Sequence, residues 1–89
     1  MKDPKKLERH FKGVANHWRI LILNLVWKNP GITVDQIAQR LKGNFKTISQ
    51  HTRYLVSAGL LRKKYQGRQV LHFLSPYGRR FVKFMQTFK

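Results

Sequence analysis

Apolar residues recur along this chain with a helical period for most of its length and with a strand period near its end. Leu7, Phe11 and Val14 stand four and then three residues apart, which predicts an amphipathic helix over about Pro4 to Gly13. Lys5, Arg9 and Lys12 line another face of it. A second helix is expected from an N-cap at Asn16 to about Lys28. It is apolar nearly all round, through Trp18, Ile20, Leu21, Ile22, Leu23, Leu25, Val26 and Trp27. An apolar circumference requires burial on several sides. A domain this small hardly covers it alone, so a dimer core is expected. Asn29-Pro30-Gly31 then stops the helix.

Thr33-Val-Asp-Gln36 has the spacing of a capping box, and Asp35 in that first turn suits the helix dipole. The third helix turns Val34, Ile37, Ala38 and Leu41 inward and ends near Gly43. Asn44 caps a fourth helix, whose inward stripe is Ile48, Thr52 and Leu55, widened by Phe45. That helix ends at Ala58-Gly59, with Gly59 as its C′ glycine. From Leu60 the period drops to two. Leu60 to Tyr65 and Gln69 to Leu74 flank Gln66-Gly67-Arg68, the pattern of a β-hairpin with glycine at its tip. Ser75-Pro76 supplies an N-cap and a proline at N1 for a last helix carrying Tyr77, Phe81, Phe84, Met85 and Phe88 on one side.

The predicted fold is mainly α with a small β-hairpin, in the order α-α-α-α-β-β-α. At 89 residues it forms one domain spanning 1–89, and 42% hydrophobic residues are enough to build its core. Without cysteine, disulfides, thiolate metal sites and cysteine nucleophiles are excluded. The longest apolar run, Ile20 to Trp27, is far short of a membrane span and is broken by Asn24, so no membrane association is expected. No export signal is visible, which makes the cytoplasm the expected location.

Charge changes the picture most. Nineteen Lys and Arg face only Asp3, Glu8 and Asp35, a net charge of +16. Such a surface repels itself and is stabilised by a polyanion, with nucleic acid the first candidate. Two short helices joined by a tight turn and followed by a basic hairpin form a known device for reading double-stranded DNA: the second helix enters the major groove and the first braces it. With Ile48, Thr52 and Leu55 inward, Lys46, Gln50, Arg53 and Ser57 point outward, with Thr47 and Tyr54 beside them. Lys46, Thr47 and Gln50 lie nearest the N-terminus and are the expected base contacts. Arg53 and Tyr54 are expected on phosphates. Lys63, Lys64 and Arg68 of the hairpin are expected there too, since cations on a thin ribbon can neutralise phosphates or enter the minor groove.

Ala15-Asn-His-Trp-Arg-Ile-Leu-Ile-Leu23, Thr47-Ile-Ser-Gln-His51, Leu55-Val-Ser-Ala-Gly-Leu60 and Gly67-Arg68-x-Val70 together resemble the core of the ArsR-type regulators. The resemblance covers roughly residues 14 to 76. It implies a winged helix-turn-helix fold, and a homodimeric repressor of palindromic operators paired through its first and last helices. Ser49 and His51 match the family's Ser-x-His, which implies that both contact the DNA backbone. Leu7, Phe11 and Trp18 from the first two helices, and Phe81, Phe84 and Phe88 from the end of the chain, are the expected dimer interface. Three departures stand out. Thr52 replaces the usual leucine, and Ile32-Thr-Val-Asp-Gln36 holds the place of a cysteine-containing metal motif without its cysteine. The last helix also lacks the ligands of the alternative metal site, so a member that senses no metal is expected, and the sequence names no small-molecule effector.

The other chemistry is sparse. His10, His17, His51 and His72 have no ligand spacing, so no metal or other cofactor is expected. His72 alternates with Val70 and Leu74 and is expected to face inward, which leaves Leu71 and Phe73 outward, for the terminal helices to cover. Three scattered carboxylates make no acid–base pair, and no serine sits in a nucleophile elbow, so no enzyme is expected. The alternative to a sequence-specific repressor is a nucleic-acid-packing or RNA-binding module that uses the same fold for charge. Lys2, Lys5, Lys6, Arg9, Lys12, Arg79, Arg80 and Lys83, all outside the reading helix, favour it. A protein-interaction adaptor would not need so many cations and ranks last.

Overall fold

The computed structural model describes residues 3–88. These form α1 (Pro4–Val14), α2 (His17–Lys28), α3 (Val34–Leu41), α4 (Phe45–Ser57), β1 (Leu61–Gln66), β2 (Gln69–Leu74) and α5 (Pro76–Met85). Local side chains start every helix. Asp3 accepts from the Lys5 amide, Asn16 from Trp18, and Ser75 from Gly78. At α3 both bonds of the capping box form, Thr33 N–H to Gln36 Oε1 at 3.0 Å and Gln36 N–H to Thr33 Oγ1 at 3.3 Å. Asn44 Oδ1 accepts from the Lys46 and Thr47 amides. Each cap satisfies donors that would otherwise be orphaned at a helix start.

The core is built around α2, which packs against α1, α3, α4, α5 and β2. Its Ile22, Leu23 and Val26 are buried with Ile37 and Ala38 of α3, Ile48 and Leu55 of α4, Leu61 and Leu74 of the hairpin, and Val82 of α5. Thr52 is buried in the expected stripe, and its hydroxyl donates to the Ile48 carbonyl at 2.8 Å, so the polar atom is satisfied inside the helix. Trp18 also turns inward. A β-carbon on Gly43 would lie 3.4 Å from its ring, so it packs between α2 and the α3–α4 turn and does not join the phenylalanines of the expected interface.

β1 and β2 pair antiparallel from Leu61 with Leu74 to Gln66 with Gln69. The turn is therefore two residues, Gly67-Arg68, with Gly67 at φ 61, as a type II′ hairpin turn requires at its first position. Ile32 adds an isolated bridge to His72: Gly31 N–H donates to the His72 carbonyl and His72 N–H to the Ile32 carbonyl. His72 is buried as expected, and its Nδ1 lies 3.2 Å from the same Ile32 carbonyl. A carbonyl only accepts, so Nδ1 carries the proton. Burial holds this imidazole below its ordinary pKa against the opposing pull of that hydrogen bond, with Lys63 across the hairpin adding to the depression.

Three further expectations are corrected. Phe45 does not widen the core stripe; as the first residue of α4 it lies beyond the core edge and is 53% exposed. Phe88 is not on the last helix, which ends at Met85. Phe73 is half-buried, with Gly31 of the α2–α3 connection against its ring and Arg79 of α5 beside it, so the terminal helix supplies only part of its cover.

The exit of α4 is held from both ends of the fold. His10 Nδ1 of α1 bonds the Ala58 carbonyl at 2.8 Å. Gly13 lies against Ala58 and Leu60, so closely that a β-carbon there would come within 2.7 Å of the Leu60 side chain. Ser75 Oγ donates to the Gly59 carbonyl at 2.6 Å, and the Ser75 amide donates to the Leu60 carbonyl. Both terminal helices thus meet where α4 passes into the hairpin. The whole is a winged helix-turn-helix, with α3 and α4 as the helix pair and β1–β2 as the wing.

Candidate nucleic-acid interface

α4 buries Ile48, Thr52 and Leu55 and exposes the opposite side. Lys46, Thr47, Gln50, Arg53 and Tyr54 are all exposed on it, while Ser49 and His51 are half-buried along its flank. The Asn44 cap fixes the first turn, from which Lys46 and Thr47 project, and Gln50 follows one turn beyond Lys46. Phe45 stands exposed beside them, an apolar group at the leading end of a polar face.

The wing places its cations less uniformly. Lys63 pairs with His72 and Lys64 with Leu71, so the two lysines point to opposite faces of the hairpin. Arg68, at the tip, borders a shallow cleft shared with Thr33, Asp35 and Phe45. The wing tip therefore lies beside the start of α4. The three carboxylates neutralise little of this surface. Asp3 caps α1, Asp35 sits in the first turn of α3, and the ion pair found among the described residues is Lys12 with Glu8 at 3.8 Å.

One group on this face was not anticipated. Arg19 of α2 reaches across to α4. Its Nε–H donates to His51 Nδ1 at 3.2 Å, its Nη1 donates to the Lys12 carbonyl at 2.9 Å, and its guanidinium lies 3.9 Å above the centre of the Tyr54 ring. Burial, followed by the positive charges of Arg19 and His17, holds the His51 imidazole below its ordinary pKa. A signal for Arg19 existed in the sequence, since it is the only charge between Trp18 and Trp27 of an otherwise apolar helix.

The expected interface residues separate into two groups. Phe11 and Phe81 meet edge to face at 5.1 Å, and with Arg80 and Phe84 they line an open apolar groove of about 200 Å³. Phe88 packs edge to face on Phe84 at 5.1 Å, and Leu7 is half-buried on α1. Ile20 and Leu21 of α2 remain exposed beside Met85 and extend this apolar side. Trp18 is not part of it. Among the described residues no group of three His, Asp or Glu side chains is placed to hold a metal, and no helix is long and apolar enough to cross a membrane.

Among curated proteins no sequence is significantly similar to this chain. Solved structures are. HlyU from Vibrio cholerae N16961 superposes with a TM-score of 0.86 at 24% identity, over 97% of this chain and 94% of that one, a likeness of fold. The transcriptional repressor PagR of Bacillus anthracis gives 0.83 at 26% identity, over 91% and 93%. The homodimeric winged helix-turn-helix DNA-binding domain of Mb0332 from Mycobacterium bovis, a possible ArsR-family regulator, gives 0.84 at 25% identity, over 93% and 77%. The model of the winged helix-turn-helix DNA-binding family matches residues 17–62, just over half of the chain and the part that holds the helix pair and the entry to the wing. With that match spanning the elements that carry the exposed polar face, the chain belongs to the winged helix-turn-helix DNA-binding family.

Proposed function

We propose that this protein is a homodimeric transcriptional repressor that reads a palindromic operator, with α4 of each protomer in the major groove and the wing on the flanking backbone. The observation that carries this reading is the exposed face of α4. Lys46, Thr47 and Gln50 stand at the end of the helix that reaches base edges in this fold, with a basic wing tip beside them. Gln50 pairs with adenine, Lys46 with guanine acceptors, and Phe45 and the Thr47 methyl suit a thymine methyl group. Ser49, His51, Arg53 and Tyr54, with Lys63, Lys64 and Arg68 of the wing, take the phosphates. The repressor role is supported by PagR, and the dimer by the homodimeric Mb0332 domain and by the unpartnered apolar side of α1 and α5. Residues 1–89 act as one DNA-binding domain whose terminal helices pair the protomers.

A second reading, nucleic-acid packing or RNA binding driven by charge, draws on Lys5, Lys6 and Arg9 of α1 and Arg79, Arg80 and Lys83 of α5, all exposed and all outside α4. Selection from random duplex DNA at low and near-physiological salt separates the two. The repressor enriches a palindrome with half-sites one helical turn apart. A packing protein enriches nothing, and its binding fades uniformly with salt.

Two substitutions divide the interface further. Gln50→Ala is expected to cost roughly 1–3 kcal/mol at the selected site and to relax preference at one base pair. Competition between matched and mismatched duplexes measures this, and unchanged selectivity would remove Gln50 from the base contacts. Arg68→Ala is expected to weaken all duplexes alike and to flatten the salt dependence by about one unit of log–log slope. A loss confined to one sequence would make the wing tip a base reader.

A further inference from the structure

We propose that Arg19 is a positioning residue for DNA binding: its guanidinium fixes which ring nitrogen of His51 carries the proton and holds Tyr54 beside it, so that α4 meets the DNA backbone with its donors already set. The inference rests on the reading of α4 as the DNA-binding helix. It goes further by giving a role to a residue of α2 that lies outside the reading helix.

The chemistry at His51 is constrained. A guanidinium has five N–H donors and no acceptor, so the 3.2 Å contact from Arg19 Nε requires a bare lone pair on His51 Nδ1. In the neutral ring the proton then sits on Nε2. The other tautomer, and the imidazolium, would set two N–H groups against each other across that contact. Every fully buried side-chain nitrogen among the described residues has a hydrogen-bond partner, and Nε2 of His51 has none, so it is open to solvent. His51 thus offers an outward N–H, a donor suited to a phosphate oxygen.

The same guanidinium acts on Tyr54, one turn along α4. Its carbon lies 3.9 Å from the ring centre, a cation–π contact that fixes the ring on the flank of the helix. Arg19 is itself anchored by its bond to the Lys12 carbonyl at the end of α1, at 2.9 Å. One planar group therefore ties α1, α2 and two side chains of α4 together, and neither ring has to be reoriented when DNA arrives. Lysine, a point charge without the flat fork, cannot make this set of contacts.

The test is ¹⁵N NMR of the imidazoles in the full chain, free of DNA and at a pH where His51 is neutral, for wild type, Arg19→Lys and Arg19→Ala. Affinity for a labelled mixed-sequence duplex is measured alongside, and thermal melts confirm that each variant is folded. The wild-type His51 is expected to show an unprotonated Nδ1 and a protonated Nε2, with both variants shifting toward a mixture of tautomers. Arg19→Ala is expected to weaken duplex binding about tenfold in the wild-type background and to have little effect once His51→Ala and Tyr54→Phe are present, the non-additivity of residues that act through one another. A wild-type Nδ1–H tautomer, or a tautomer indifferent to Arg19, overturns the inference. So does an equal loss of affinity in both backgrounds, which would make Arg19 a phosphate contact in its own right. Wild-type protein that binds no duplex at all overturns the DNA-binding reading, and the inference with it.

Discussion

Replacing Gly78 with alanine is expected to lower the melting temperature by roughly 8–16 °C, the equivalent of about 2 kcal/mol at this chain length. Two effects compete. Alanine is the better helix former by about 1 kcal/mol in a helix interior. Against that, a β-carbon at position 78 would overlap the Leu60 carbonyl oxygen, 3.1 Å from the Leu60 carbonyl carbon and 3.3 Å from a Leu74 methyl. The obstacle is backbone, and it is fixed, because the Leu60 carbonyl also accepts the Ser75 amide at 3.1 Å. Overpacking of this kind costs about 3 kcal/mol when nothing can move aside. The clash wins. Lys83→Ala, on the exposed side of the same helix, is expected to melt within a degree or two of wild type by calorimetry. If Gly78→Ala melted with it, α5 would not be seated against the exit of α4 as described.

Phe84→Glu is expected to separate the proposed dimer while leaving each protomer folded, and so to reduce affinity for a full palindrome by about 10²–10⁴, the advantage of two linked sites over one. Phe84 is the right position for a physical reason. Phe81 packs on the protomer's own core, so a charge there would damage the monomer as well. Phe84 is 54% exposed, beside Phe11 at 51% and Phe88 at 69%, where only a partner could bury it. A carboxylate in that contact would have to be desolvated, a cost that Arg80, one turn earlier on the same groove, offsets only in part. Sedimentation should show monomer, and the affinity for a single half-site should be unchanged. A variant that sediments as a dimer would place the interface elsewhere, with the exposed Ile20 and Leu21 next in line.

The features legible in the sequence were those written within a few residues of where they act. Asn16, Thr33 with Gln36, Asn44 and Ser75 bond amides two or three positions away, so spacing alone identified them. Gly59 adopts φ 79 for the same local reason, to let the chain leave α4. What escaped was set by partners distant in the chain. The bridge between Ile32 and His72 joins segments forty residues apart, and no period announces it. The sequence places the end of α3 near Gly43, yet the left-handed residue there is Lys42 at φ 53. Gly43 is needed for space instead, since a β-carbon would come within 2.8 Å of Ile48. Phe45 and Trp18 show the same limit. A helical period says which side a residue is on, but not whether the core extends that far or which neighbour fills the gap. At the interface the period found Lys46, Thr47 and Gln50, which face outward together, whereas the alternation of a strand separates Lys63 from Lys64.

The close holding of Ala58, Gly59 and Leu60 by His10, Gly13, Ser75 and Gly78 bears on how the proposed dimer tolerates imperfect operators. In such a dimer the proposed reading helix of each protomer has no compliant joint between itself and the terminal helices proposed to pair the protomers. The distance and angle between the paired heads are therefore properties of the folded chain, not of a hinge that a binding site can adjust. A site whose halves are a base pair too close or too far must be accommodated by twisting or bending the duplex. The penalty then falls on the stiffness of the intervening steps, and bases that no side chain touches acquire a say in where the protein settles.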